Sequence, residues 1–212
     1  MTQINLFDTE PPHIGLDPST APKRFSVLYA DPPWDYHDRT FLNAKANATG
    51  SASDHYPTMS SQDLMDMHVQ SIAAKNCILY MWTTGPQLQI SMDVLCSWGF
   101  RYRTIAFIWE KAGRVNPGHY TMSSCELCLV AVKGKVPHPR GTRNERQFYS
   151  TPRTKHSQKP SHFRDCITRM HPSQSKLELF SRDAAPGWFV WGLEAPQSIQ
   201  IPQIWGNTEI PW

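Results

Sequence analysis

Phe25-Ser-Val-Leu-Tyr-Ala-Asp-Pro-Pro-Trp34 is the stretch whose reading decides the fold. Its first six residues are apolar and rich in β-formers, which predicts a short buried strand, Phe25–Ala30. The strand must stop at Asp31, because two consecutive prolines bring no backbone donors to a central sheet. The four residues from Asp31 to Trp34 make a specific chemical offer. Asp31 is an anionic acceptor at a strand terminus. The carbonyls of Pro32 and Pro33 are aimed by rings that fix φ. Trp34 adds a flat aromatic face. Acceptors beside a stacking platform suit a planar group bearing an amino donor, such as the exocyclic amine of adenine. Two acceptors on one amine favour its loss of a proton as it becomes a nucleophile. The plain structural alternative is a proline-rich turn after an edge strand, with Trp34 plugging the core.

The flanking sequence argues for a larger α/β unit. Residues 35–58 are polar and small, and a loop of that length inside a compact domain reads as a lid or a binding loop. Ser60 or Ser61 is expected to cap a helix running to about Ala74, with Leu64, Met67, His68 and Ile72 on one face. Asn76–Trp82 reads as a strand. Gly85-Pro86 opens a helix to about Trp98, closed by Gly99. Tyr102–Trp109 is a third strand, 111–123 a loop, and Glu126–Val132 a fourth strand. Residues 133–159 are expected to form a long basic loop. Ser161–Met170 is a helix that Pro160 can start. Lys176–Phe180 and Trp188–Trp191 are two more strands. Residues 1–24 read as an N-terminal extended arm, 25–194 as the domain, and 195–212 as a tail without period. Strands alternating with helices predict a mostly parallel central sheet with helices on both faces. In such sheets ligands sit beyond the carboxyl ends of strands, where Asp31 and the loop after Phe180 both fall.

Composition narrows the classes. At 212 residues the chain is one domain's worth, and 40% hydrophobic content supports a sizeable core. With 18% charged residues it is no highly charged disordered chain. No apolar run approaches the ~18–20 residues of a membrane span. The first residues lack the basic start and apolar core of a secretory signal. The 18 prolines imply many fixed turns, and the 8 tryptophans imply a large aromatic core or surfaces for flat ligands. Net charge is only +3, but residues 131–185 carry 12 Lys and Arg against 4 acids. That field suits a polyanion such as nucleic acid; the alternative is a solvated basic face. Cys77, Cys96 and Cys166 read as reduced core residues. Cys125 and Cys128 sit in an alternating strand-like run with no second pair at zinc spacing, so a metal or redox role is not expected. Reducing cytoplasm is the natural compartment.

The ordered set of motifs resembles the MT-A70 family of S-adenosylmethionine-dependent adenine-N6 methyltransferases. The resemblance covers about residues 25–194. It runs through Val27-Leu-Tyr-Ala-Asp-Pro-Pro-Trp-Asp35, His55-Tyr-Pro-Thr-Met-Ser60, Leu79-Tyr-Met-Trp82 and Ile108-Trp-Glu-Lys111. It continues through Glu126-Leu-Cys-Leu-Val130, Ser157-Gln-Lys-Pro160, Lys176-Leu-Glu-Leu-Phe-Ser-Arg182 and Trp188-Phe-Val-Trp-Gly192. It implies a Rossmann-like methyltransferase fold, circularly permuted so that the Asp-Pro-Pro-Trp strand precedes the cofactor-binding half. It implies Asp31, Pro32, Pro33 and Trp34 as catalytic residues. Asp31, Lys159, Arg182 and Glu194 are the implied cofactor contacts. Trp34, Tyr56, Trp109, Glu126 and Lys159 are the implied substrate contacts. The implied cofactor is S-adenosylmethionine, with no metal. The target adenine would be flipped from a duplex or single-stranded. RNA-modifying relatives carry long N-terminal zinc-finger extensions that this chain lacks, so DNA is the expected substrate. The alternatives are an RNA adenine-N6 methyltransferase and a catalytically silent nucleic-acid-binding subunit. No membrane partner is expected, and a homodimer or heterodimer is compatible with the family. Ala184, Ala185 and Leu193 depart from polar cofactor positions of some members.

Overall fold

The computed structural model describes residues 16–35, 58–113, 116–117, 120–136, 139–152, 158–192, 194–196, 198–201 and 204. In chain order the elements are β1 (Phe25–Ala30), α1 (Ser61–Asp66), β2 (Ala73–Thr83), α2 (Leu88–Ser97), β3 (Arg101–Ala112) and β4 (Asn116–Pro117). They continue with β5 (Met122–Ser123), β6 (Cys125–Lys133), β7 (Phe148–Pro152), α3 (Ser161–Met170), β8 (Lys176–Leu179) and β9 (Phe189–Trp191). One seven-stranded sheet has the order β7-β3-β6-β2-β1-β8-β9, and β4 and β5 form a separate small hairpin. Within the large sheet β6 runs antiparallel to both its neighbours; the other neighbouring pairs are parallel. The chain leaves β1 toward β2 and returns on the opposite side through β8 and β9. The fold is the Rossmann-like α/β architecture, with the Asp-Pro-Pro-Trp strand ahead of the β8–β9 half.

The two faces of the sheet are covered by different helices, and the period of two along each strand sorts the side chains. Leu28 and Ala30 of β1, Leu79 and Met81 of β2, Leu129 and Ala131 of β6 and Leu177 and Leu179 of β8 pack with Leu64 of α1 and Val94 and Leu95 of α2. Val27, Tyr29, Ile78, Tyr80, Trp82, Cys128 and Val132 point the other way, against Phe163, Cys166 and Ile167 of α3. Central strands buried on both faces read as continuous apolar runs, which is why β1 and β2 show no polar alternation. Burying each large aliphatic side chain contributes about 1.5–3 kcal/mol.

Several boundaries differ from the sequence expectation, each for a physical reason. The helix capped by Ser60 lasts only to Asp66, not Ala74. Met67 leaves it extended, and the His68 N–H donates to the Ile204 carbonyl at 2.6 Å. Met67 and Ile72 are still buried, but through a short 3-10 turn (Val69–Ser71) instead of helical spacing. β2 then begins at Ala73 because that residue pairs with Phe25. The basic segment 133–159 contains an edge strand, β7, paired in parallel with β3. Its pattern alternates exposed and half-buried, too weak a signal to stand out among arginines. The stretch 111–123 holds the β4–β5 hairpin. Ile199, Ile201 and Ile204 of the expected tail are core residues, and the Ile199 N–H bonds the Val190 carbonyl at 2.9 Å. Cys96 is exposed, not core; Cys77 and Cys166 are buried as expected. Cys125 and Cys128 both lie on β6, facing opposite ways, one exposed and one buried.

Candidate active site

β1 delivers Asp31 to the carboxyl edge of the sheet at the point where strand order reverses, between β2 on one side and β8 on the other. Loops diverge at such a reversal and leave a crevice. Here the crevice is a shallow cleft open to solvent. Tyr29, Asp31, Lys159, Glu178, Phe180 and Arg182 are among its lining residues.

The backbone turns sharply at the prolines. The Trp34 N–H donates to the Pro32 carbonyl at 2.8 Å, and the Met59 N–H donates to the Pro33 carbonyl at 2.9 Å. Of the two carbonyls read from the sequence as free acceptors, both are therefore engaged by backbone donors. Each carbonyl oxygen retains a second lone pair. Trp34 is only 5% exposed. Its Nε1 donates to the Trp82 carbonyl at 3.1 Å, and Trp82 Nε1 donates to the Tyr29 hydroxyl at 2.7 Å. These bonds tie the motif turn to β2 and β1, so Trp34 acts as a strut fixing the turn.

Asp31 sits at the mouth of an alternating chain of charges. Lys159 Nζ donates to Asp31 Oδ1 at 2.7 Å and Oδ2 at 2.6 Å, and lies 3.0 Å from Glu126 Oε2. Lys111 Nζ donates to Glu126 Oε1. Lys159 also lies 5.5 Å from the centre of the Trp82 ring, and Lys111 lies 5.3 Å from that of Trp109. Desolvation presses the Lys159 ammonium down, but Asp31 and Glu126 more than reverse this and hold it well above the ordinary lysine value. Burial pushes the Glu126 carboxyl up, but Lys159 and Lys111 outweigh it and leave it below its usual value. Asp31 is raised, chiefly by desolvation and then by the Glu126 charge, against the pull of Lys159 and Arg182.

Asp31, Lys159, Glu126 and Arg182 thus come together from β1, the segment before α3, β6 and the turn after β8. Glu194 stands at the rim, its side chain 62% exposed and 3.9 Å from Arg182 Nε. Trp109 is wholly buried, with no hydrogen-bond partner for its Nε1 among the described residues, so it backs the site without lining the cleft. Tyr56 and Leu193 lie outside the described residues.

Glu178 and Phe180 are among the cleft residues to which the sequence reading assigns no role. Glu178 of β8 accepts from Arg164 Nη1 at 2.6 Å, and burial pushes its carboxyl up to about 7. Phe180 adopts φ +61°, the left-handed region that a bulky side chain enters only under constraint. Its ring meets Trp191 edge-on at 5.5 Å. An acid at an inward strand position was the available signal for Glu178; nothing local announced the Phe180 backbone. Among the described residues no group of His, Cys, Asp and Glu is placed to hold a metal ion, and no helix is long and apolar enough to cross a membrane.

Comparison with known proteins follows the same boundaries. The family model described as MT-A70 matches residues 25–194. The chain is similar to the type II methyltransferase M.MunI of Mycoplasma sp, with 45% identity over 197 residues, 87% of this chain and 84% of that protein. It is 29% identical over 178 residues to an Arabidopsis thaliana N(6)-adenosine-methyltransferase MT-A70-like protein, of which it covers 23%. It is 26% identical over 185 residues to the human N(6)-adenosine-methyltransferase catalytic subunit METTL3, of which it covers 28%. The chain therefore spans most of the Mycoplasma protein but only about a quarter of the plant and human ones.

Proposed function

The chain belongs to the MT-A70 methyltransferase family, and from that premise we propose that it moves a methyl group from S-adenosylmethionine to the exocyclic amine of adenine in DNA. The observation that carries this reading is Asp31 at the carboxyl end of the central strand, clasped by Lys159 at 2.6 and 2.7 Å, on the wall of the switch-point cleft.

The residues present fit S-adenosylmethionine. The cleft offers carboxylates (Asp31, Glu178, Asp183), cations (Lys159, Arg164, Arg182) and two rings (Tyr29, Phe180). A zwitterionic head group with an attached nucleoside calls for that mixture of charge and aromatic surface. Arg182 would hold its carboxylate, with the Lys159 charge nearby but its donors taken by Asp31 and Glu126, and the acids would hold its amino and hydroxyl groups, with Glu194 at the rim toward the ribose. The bound molecule supplies an electrophilic methyl on sulfur.

The protein's share is orientation and charge. Asp31 accepts one amine hydrogen; each of its oxygens retains lone pairs beyond the Lys159 bond. The spare lone pair of the Pro32 carbonyl accepts the other. Held so, the amine lone pair would be free to attack the electrophilic methyl, and the S–CH3 bond would break as the N–CH3 bond forms. Positive charge growing on nitrogen would meet preformed acceptors, and the surplus amine proton would leave through Asp31 to solvent. Lys159 stays protonated through the reaction and keeps the Asp31 charge compensated. Lys135, Arg140, Arg143 and Arg146 of the basic segment are exposed and would lie against phosphates.

The near full-length match to a type II methyltransferase favours DNA over RNA. The test is incubation of the purified protein with S-adenosylmethionine and duplex DNA, single-stranded DNA or RNA, followed by nucleoside mass spectrometry. N6-methyldeoxyadenosine from DNA is expected. Product in RNA alone would overturn the DNA assignment, and no methyladenine in any substrate would overturn the reaction.

A further inference from the structure

The charge chain extends one residue beyond what the cleft can use. Side-chain exposure falls from 31% at Asp31 to 9% at Lys159 and 6% at Glu126, then rises to 16% at Lys111. Lys111 emerges from β3 two residues past Trp109, which pairs with Glu126 across the ladder. It is not part of the cleft wall and does not bond Asp31. Its ammonium donates to Glu126 Oε1, while Lys159 holds Oε2.

The sum of charges makes this placement consequential. Asp31, Glu126 and Lys159 alone carry two negative charges against one positive. A single ammonium would then be shared between two carboxylates, each with an incomplete partner, in a site too buried for water to screen them. Adding Lys111 makes the set neutral and gives Glu126 its own cation. Resting on the methyl-transfer reading above, we propose that Lys111 is a positioning residue: by occupying Glu126 Oε1 it leaves Lys159 committed to Asp31, and so keeps the Asp31 carboxylate charged and aimed at the incoming amine.

The groups that act on Asp31 can be named from each element around it. Lys159 and Arg182 stabilise its charge, and Glu126 opposes it. Glu178 on β8 and Cys128 on β6 are within electrostatic reach, as is Tyr29 two residues before it on β1. Removing Lys111 leaves the Glu126 charge uncompensated and frees Glu126 to draw Lys159 away. Both changes raise the pH at which Asp31 ionises. The acidic limb of the rate profile must therefore move up, because the reaction needs the carboxylate.

The experiment compares wild type, Lys111→Met, Lys111→Arg, Glu126→Gln and the Lys111→Met/Glu126→Gln pair. Two readouts are taken: the Asp31 carboxyl titration by carbon NMR, and kcat against pH with S-adenosylmethionine and adenine-bearing duplex DNA. In Lys111→Met the titration midpoint and the acidic limb both move to higher pH, kcat at neutral pH falls about tenfold, and KM for S-adenosylmethionine changes little. Lys111→Arg restores the wild-type profile. In the Glu126→Gln background Lys111→Met has no further effect, because the group it acts through is gone. That pair also removes both buried charges together, so it tests the coupling should Lys111→Met alone fail to fold. An unmoved titration midpoint, or effects of the two substitutions that simply add, would overturn the proposal. The titration reads the coupling without turnover, so absence of methylation by wild type would sink the functional reading while leaving the role of Lys111 in the ion chain separately decided.

Discussion

Asp31 has two tasks that compete at the scale of a single residue. It must stay anionic to accept an amine, yet it lies where desolvation raises its carboxyl. Lys159 resolves the conflict, and Glu126 keeps Lys159 from being a lone buried cation once Asp31 is removed. Asp31→Asn is therefore expected to lower methyl transfer at least about a thousandfold while the protein remains folded, checked by steady-state kinetics beside circular dichroism. Full activity of the variant would exclude Asp31 from the chemistry. A second residue carries pH sensitivity without chemistry. His171 is buried, its Nε2 is 2.9 Å from the Tyr80 hydroxyl, and burial together with Lys176 pushes its pKa down to about 4. The folded state thus holds the neutral ring. Stability from this group is full above the ordinary histidine value of 6.5 and is lost as pH falls toward about 4. The loss is on the order of 3 kcal/mol. Urea midpoints measured across that range should fall for wild type and stay flatter for His171→Gln.

At the scale of elements, the cofactor half of the site depends on how closely β9 passes the turn after β8. A Cβ built on Gly192 would stand 2.1 Å from the Ser181 carbonyl oxygen and 2.7 Å from its nitrogen. The Ser181 N–H already donates to the Trp191 carbonyl at 3.0 Å, so the two segments have no room to separate without losing that bond. Phe180 and Arg182 flank Ser181 in the cleft. Gly192→Ala should therefore cost about 1–3 kcal/mol of stability and weaken S-adenosylhomocysteine binding severalfold, read by thermal melting and calorimetry. Unchanged affinity would show that the turn does not position cofactor contacts. The same closeness explains the left-handed Phe180. The chain must reverse between two parallel neighbours joined at Leu179 and Trp191, and the ring is fixed against Trp191.

At the scale of the molecule, charge is segregated. The basic segment leads from β6 through β7 to α3, and α3 begins two residues after Lys159. If DNA lies along it, binding weakens as salt rises, with a slope of roughly 0.9 per phosphate neutralised. Arg143 and Arg146 are exposed on the approach to the edge strand β7. Arg143→Ala/Arg146→Ala should lower the slope of affinity against salt by about 1–2 and leave the melting temperature unchanged. A slope equal to wild type would move the phosphate track elsewhere. Tyr102 and Phe148 are exposed on β3 and β7 at this same edge of the sheet.

What the sequence determined by itself was whatever local chemistry dictates. Two prolines after an apolar run end a strand wherever they occur, so β1 and Asp31 were legible. Phe163, Cys166 and Ile167 fall on one face of a ten-residue helix, so α3 was legible too. The fourth strand, β6, is legible as a bounded run of apolar β-formers, although its burial does not alternate: Cys128 and Leu129 are both buried, as are Ala131 and Val132. Only the tertiary structure decided the rest. The α1 helix stops early because His68 has a partner 136 positions away in Ile204, a competitor no local window contains. β7 forms because β3 offers it an edge, since its own five residues have little apolar content. Lys111 and Glu178 lie on strands where either face was possible, and their roles follow from the charges that other strands bring opposite them. Sequence sets what each residue can do. The long-range pairing of β1 with β2 and β8 sets which residues meet, because burial makes an unpaired charge or an unpaired strand edge too costly to leave alone.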